Sequence, residues 1–215
     1  MEKDKLKEYN GRRFREVTLP DNLKDWYKPD YDDSKWQSGK APVGKGTWKW
    51  RKLNPKPASK WDKGEFIMMR TKFNYDGTKY HQYRIAVMAR QGFQVYLNGH
   101  KIHTYVWWKD EPFYRAIQLG PNEIKHLKTG ENTLAVYAND QYKPGDDNRY
   151  NAVDIDIQGI TKENLAKLDK ALLTVLPLED RETLKGASNA GYHYLGSAKI
   201  MAQIGKAFAE AMVNK

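Results

Sequence analysis

The sequence predicts a mainly β protein: an antiparallel jelly-roll β-sandwich followed by a C-terminal helical segment. Three observations predict it. Apolar side chains recur at every second position through most of residues 66–157, the spacing of strands whose alternate side chains face opposite sides of a sheet. Clusters rich in Gly, Asn and Asp cut those runs into short strands. Near residue 160 the apolar spacing changes once, to the period of an amphipathic helix. The chain is therefore read as a sandwich domain, 1–160, and a helical segment, 161–215.

Each element has its own signal. Ile67, Met69, Thr71 and Phe73 alternate with Met68, Arg70 and Lys72. Tyr83, Ile85, Val87 and Ala89 alternate with Arg84, Ala86 and Met88. Phe93, Val95 and Leu97 run into Asn98-Gly99, a strong hairpin turn, and Ile102, Thr104 and Val106 resume beyond it. Tyr114, Ala116 and Gln118 form the next strand, then Leu134, Val136 and Ala138. Val153, Ile155 and Ile157 alternate with Asp154 and Asp156 in the last. The clusters 128–132 and 143–148 punctuate these late strands, and seven or eight such strands suit a sandwich or jelly roll. In the helical segment Thr161 is placed to cap a helix, with Glu163 in its first turn and Leu165, Leu168 and Leu172 on one face. Pro177 ends that helix, a short one is expected at 178–182, and a last one at 195–213 carries Ile200, Ile204, Phe208 and Met212 as a stripe.

Composition narrows the function. Cysteine is absent, which removes disulfides, thiolate metal sites and cysteine nucleophiles. No run approaches the roughly 20 apolar residues of a membrane helix. The first ten residues have no apolar core of a secretory leader. The net charge is +10, and residues 40–72 supply most of it, with ten basic side chains against Asp62 and Glu65. One basic window of this kind fits an anionic partner, and a merely solvated Lys-rich loop fits equally. Seven Trp and 14 Tyr are many for the length and point to recognition surfaces as well as core.

Two resemblances sharpen this. Trp26, Tyr31-Asp32-Asp33-Ser34-Lys35-Trp36 and Ala41-Pro42-Val43-Gly44 resemble the opening of galactose-binding-like jelly rolls. The hairpin Val95-Tyr96-Leu97-Asn98-Gly99-His100 and the strand Gly130-Glu131-Asn132-Thr133-Leu134-Ala135-Val136 fit the same family, over roughly residues 14–160. Such domains occur as sugar-binding modules beside carbohydrate-active enzymes. The segment Ser188-Asn189-Ala190-Gly191-Tyr192-His193-Tyr194-Leu195-Gly196 resembles the last block of SGNH-type carbohydrate esterases of the sialate O-acetylesterase-like group. That resemblance implies His193 as general base, because an imidazole titrating near neutrality can take a serine proton and return it to the leaving alcohol. The chain departs from that family in having no Gly-Asp-Ser nucleophile block, no oxyanion-hole block and no α/β unit. His193 could act only with a serine block from outside these residues, and the alternative is a histidine packed at a helix start.

Aromatic rings recognise sugars by stacking on pyranose faces while polar groups bond the hydroxyls. Trp48, Trp50 and Arg51 in the basic window, and Tyr105, Trp107 and Trp108 after the hairpin, are the ligand-binding candidates. Trp26, Trp36 and Trp61 are expected to be core. His100 and His103 should face opposite sides of a strand, so no metal site is expected. Asp32-Asp33 and Asp146-Asp147 offer carboxylates to calcium without a specific loop spacing, so no cofactor is assigned. Asp154 and Asp156 alternate on one face, a poor basis for a glycosidase pair without a cleft.

The expectation is a non-catalytic carbohydrate-binding or accessory domain, as the C-terminal part of a sialate O-acetylesterase-like enzyme. Its partners would be a glycan, acidic or acetylated, and an SGNH catalytic domain, with no nucleic acid and no membrane. A free-standing module for an acidic polysaccharide and a structural scaffold without ligand are the alternatives. The resemblance implies a periplasmic or secreted setting.

Overall fold

The computed structural model describes residues 5–9, 12–16, 19–45, 56–61, 66–89, 92–105, 114–139 and 151–175, with 179 and 206. The chain divides into two compact units, Met1–Ile160 and Thr161–Lys215. The first is an antiparallel β-sandwich. Its four-stranded sheet runs β5 (Phe66–Tyr75), β10 (Gly130–Asn139), β7 (Phe93–Leu97), β8 (His100–Tyr105). Its five-stranded sheet runs β4 (Ser59–Lys60), β3 (Val43–Lys45), β11 (Asn151–Ile160), β6 (Gln82–Met88), β9 (Tyr114–Leu119). From β5 onward the chain crosses repeatedly between the sheets, as in a jelly roll. The short β3–β4 pair is parallel and departs from the antiparallel expectation. The N-terminal hairpin β1 (Lys5–Tyr9) and β2 (Arg12–Glu16), which the apolar spacing does not announce, pairs Lys5 with Glu16 and Tyr9 with Arg12.

The period-two pattern sets the core. Leu134, Val136 and Ala138 of β10 and Phe93, Val95 and Leu97 of β7 meet Ile85 and Val87 of β6 and Val153 of β11. The Asn98-Gly99 turn has positive φ at both residues, 49° and 82°, the geometry of a two-residue hairpin turn. Asn98 also ties the turn to its neighbours. Its amide donates to the His126 carbonyl and to Asn132 Oδ1, both at 2.7 Å. Asn132 in turn donates to the Lys128 and Gly130 carbonyls, which is the work of the Asn in the Gly130-Glu131-Asn132 motif. A single helical turn, α1 (Pro121–Ile124), begins with Pro at its first position and with Glu123 Oε2 accepting from the Gly120 N–H at 2.9 Å.

β10 is buried on both faces from Asn132 to Asn139. Residues 19–36 cover its outer face: Trp26 packs with Ala135 and Tyr137, and Tyr27, Tyr31, Trp36, Phe66, Met68 and Tyr96 complete the cluster. Trp26 stacks on Trp36 at 6.4 Å and Tyr27 on Tyr96 at 4.5 Å. Arg70 fastens this segment. Its guanidinium donates to the carbonyls of Trp26, Lys28 (2.7 Å) and Tyr31 (3.3 Å) and to Asp33 Oδ2 (2.8 Å), with a side chain only 3% exposed. Trp61 is also buried, so Trp26 and Trp61 are core residues.

In the second unit, α2 spans Lys162–Val175. Thr161 caps it, its hydroxyl accepting from the Asn164 N–H at 3.1 Å. The expected helix at 178–182, apart from Glu179, and the one at 195–213, apart from Lys206, lie outside the described residues.

Candidate functional site

Three strands of the five-stranded sheet combine to make a groove of about 550 Å³ on its outer face, lined by Arg84, Ala86, Tyr114, Arg115, Ala116, Asp154, Asp156 and Gln158. Period two places these side chains. Ile85 and Val87, Ile117 and Leu119, and Val153, Ile155 and Ile157 belong to the core, so their neighbours in sequence face outward. The register then sorts the outward residues into rows across the sheet. Asp154, Met88 and Tyr114 form one row, Asp156, Ala86 and Ala116 the next, and Gln158, Arg84 and Gln118 the third. The middle row carries two methyl groups, and that makes a floor between taller ends.

The two ends are chemically different. At one, the Tyr114 hydroxyl donates to Asp154 Oδ2, whose other oxygen accepts from the Ile155 N–H at 2.8 Å. Tyr114 is nevertheless 42% exposed and offers ring surface to a ligand. Burial, then the hydrogen bond and charge of Asp154, push its phenol above the usual range, so it stays a neutral donor. At the other end, Arg84 Nε donates to Gln158 Oε1 at 2.8 Å, and Gln158 Nε2 donates to Asp156 Oδ2 at 3.0 Å. The relay fixes the amide and leaves guanidinium N–H groups and carboxylate oxygens facing outward, the donors and acceptors a polyhydroxylated ligand needs. Arg115 points inward: its guanidinium lies 4.8 Å from the Tyr105 ring centre and donates to the Ala89 carbonyl at 2.9 Å.

Of the candidates named from sequence, Tyr105 alone is described. It is half-buried and its ring stacks on Phe93 at 5.1 Å under Arg115, a packing position at the end of the sandwich. Trp48, Trp50, Arg51, Trp107, Trp108 and His193 lie outside the described residues, as do Asp146-Asp147. The strands that flank them are informative. β3 ends at Lys45, β6 at Met88, β8 at Tyr105 and β10 at Asn139, while β5, β7, β9 and β11 begin at Phe66, Phe93, Tyr114 and Asn151. Registers set these ends side by side within each sheet, and the Arg115–Tyr105 contact joins the two sheets there. Lys45, which precedes 46–55 in the sequence, and Tyr105 and Tyr114, which flank 106–113, stand at this rim.

The basic window is partly spent on structure. Arg70 is buried, Lys72 pairs with Glu131 at 2.9 Å, and the Lys45 ammonium lies 4.6 Å from the centre of the Trp61 ring. The Ser34 hydroxyl, and then its N–H at 3.0 Å, donate to the Asp32 carboxylate within its own turn and hold that carboxyl below the usual range. Among the described residues no cluster of three or more His, Asp or Glu is placed to hold a metal ion, and no helix is long and apolar enough to cross a membrane. His100 stacks on His126 with ring centres 3.8 Å apart, and His103 lies against Phe93 at 5.8 Å.

Sequence spacing alone does not show the groove. The outward alternation of Asp154 and Asp156 was legible, but the cleft depends on Ala86 and Ala116 coming into one row, and only the strand register shows that.

No family model matches the sequence, and no curated protein matches it. Among solved structures, the chain is similar to the α-L-rhamnosidase from Dictyoglumus thermophilum, with 17% identity over 46% of this chain and 12% of that one, TM-score 0.35. It is similar to a β-glycosidase from Bacteroides vulgatus, with 17% identity over 64% of this chain and 18% of that one, TM-score 0.35. It is also similar to the PA14 sugar-binding domain from an RTX adhesin, with 12% identity over 48% of this chain and 49% of that one, TM-score 0.26. The chain thus spans less than a fifth of the two glycosidase chains and about half of the adhesin domain.

Proposed function

We propose that the Met1–Ile160 unit is a non-catalytic glycan-binding module and that the outer-face groove is its ligand site. The groove itself carries this reading. It combines a flat two-alanine floor, an exposed tyrosine ring, and carboxylate, amide and guanidinium groups held by a hydrogen-bonded relay. Sugars are bound by that combination of a flat apolar contact and fixed polar partners. The likeness of residues 14–160 to galactose-binding-like modules supports it.

A second reading places an acidic polysaccharide on the rim, through Trp48, Trp50, Arg51, Trp107 and Trp108. What favours it is that the strand ends leading into 46–55 and 106–113 lie at one end of the sandwich. The esterase-derived reading, with His193 as base and this chain as the C-terminal part of a longer enzyme, rests on the segment 188–199 and needs a serine block from outside these residues.

Affinity electrophoresis against immobilised neutral, acidic and amino-sugar polysaccharides tests the module. Ala116 is exposed, so Ala116→Trp should fill the groove and leave the melting temperature within a degree or so. Retardation that disappears in Ala116→Trp is the expected result. Retardation that survives it and disappears in Trp107→Ala would move the site to the rim. No retardation by any polysaccharide would end the glycan reading.

A further inference from the structure

The chain carries a net charge of +10, yet the groove does not share its sign. Among the described residues that line the groove, the charged groups on the outer face are Arg84, Asp154 and Asp156. Arg84 is linked through Gln158 to Asp156, so these two opposite charges largely offset one another. Among the described residues no cation is bonded to Asp154: its oxygens accept from the Tyr114 hydroxyl and the Ile155 N–H. The remaining arginine of the lining, Arg115, turns its guanidinium to the core side. The described lining of the groove therefore holds a surplus carboxylate at the tyrosine end and a donor-rich guanidinium at the other. Tyr114 adds ring surface beside the carboxylate, and an aromatic face attracts a cation as well as a sugar ring.

Building on the groove as a glycan site, we propose that its ligand is an amine-bearing glycan, a glucosamine-type oligosaccharide with free ammonium groups. An ammonium fits between Tyr114, Asp154 and Asp156. The ring and hydroxyl oxygens of the same or the next sugar then lie over Ala86 and Ala116 and accept from Arg84. Rows two residues apart are separated by about 6.6 Å, a spacing that suits one to two pyranose rings. An acidic glycan would meet the surplus carboxylate and is disfavoured here. The protein's overall positive charge opposes a cationic oligomer, so preference for one would run against the long-range field.

Isothermal titration of the whole chain with glucosamine, N-acetylglucosamine and galacturonate tetramers tests this, at about pH 6, where a sugar amine is protonated. The glucosamine tetramer should bind about tenfold more tightly than its acetylated counterpart. Asp156→Asn should weaken it about fivefold and weaken the acetylated tetramer by clearly less. Thermal melts show whether each variant is folded, and because Asp156 is exposed its variant keeps the test open even if Asp154→Asn unfolds. Equal or tighter binding of the acetylated tetramer, tighter binding of galacturonate, or indifference to Asp156→Asn would overturn the amine assignment and leave the groove reading standing. Binding of every tetramer unchanged in Ala116→Trp would remove the groove as the site, and this inference with it.

Discussion

At the scale of single residues, the Arg70 guanidinium meets four oxygens from one loop: three backbone carbonyls and the Asp33 carboxylate. The carboxylate is 45% exposed, so the ion pair itself is worth little. The carbonyls matter more, because removing the guanidinium leaves them unpaired above a buried aromatic cluster. Arg70→Met should therefore cost about 3 kcal/mol in urea unfolding. Arg70→Lys should recover less than half, since one ammonium cannot span four acceptors set for a planar fork. Equal stability of the Lys variant and the parent would show that charge alone, and not the fork, holds the loop. None of this was legible beforehand. Arg70 reads from sequence as one more cation in a basic window, and its partners lie 37 to 44 residues away along the chain.

At the scale of the strand, backbone approach sets the limits. The Tyr80 ring lies against the backbone of Gly159, where an added Cβ would come within 2.2 Å of it, and the same ring meets Tyr83 edge-on at 5.7 Å. Gly159→Ala should destabilise the unit by about 1–3 kcal/mol, because a ring wedged between strand and tyrosine cannot simply swing aside. Tyr80→Ala made together with it should cost less than the sum of the two single changes, by about 1 kcal/mol, which a double-mutant cycle in urea reads directly. Strict additivity would mean the clash relaxes elsewhere. At this scale the sequence was a good guide where one face is core and the other is not. Ile85, Val87, Ile155 and Ile157 were placed by alternation alone, and Asn98-Gly99 announced its own turn, whereas on β9 the set read from sequence, Tyr114, Ala116 and Gln118, is the outward one. β10 was the harder case. With Leu134, Ala135, Val136, Tyr137 and Ala138 all buried, its period is blurred because residues 19–36 cover its second face.

At the scale of the whole molecule, stability should fall on mild acidification. Burial pushes the His103 imidazole below its ordinary value, with Glu123 pulling weakly the other way. Burial, then the charges of His100 and Lys125, lower His126 too. The unfolded chain therefore binds more protons than the native one as pH drops below the ordinary histidine value of about 6.5. The stabilisation is complete above that pH and is lost as pH falls toward the native values. Melting temperature should decline between about pH 6.5 and 5, and less steeply in His103→Gln. Asp32 and Asp76, whose carboxyls are held low by bonds from Ser34 and Thr78, act in a separate window below about pH 3.9. A flat profile between pH 7 and 5 would show that neither imidazole resists protonation. The overall architecture was readable from the sequence, but the site was not. Its lining comes from β6, β9 and β11, whose mutual register is set by pairing across 26 to 74 residues and leaves no mark in any local window.

The two faces of these three strands are written in alternate letters. Residues 85, 87, 117, 153, 155 and 157 pack the interior, while 84, 86, 114, 116, 154, 156 and 158 line the groove. Substitutions at the even-numbered positions can therefore reshape the chemistry of the groove one residue at a time, while the odd-numbered set keeps the interior packed as it is.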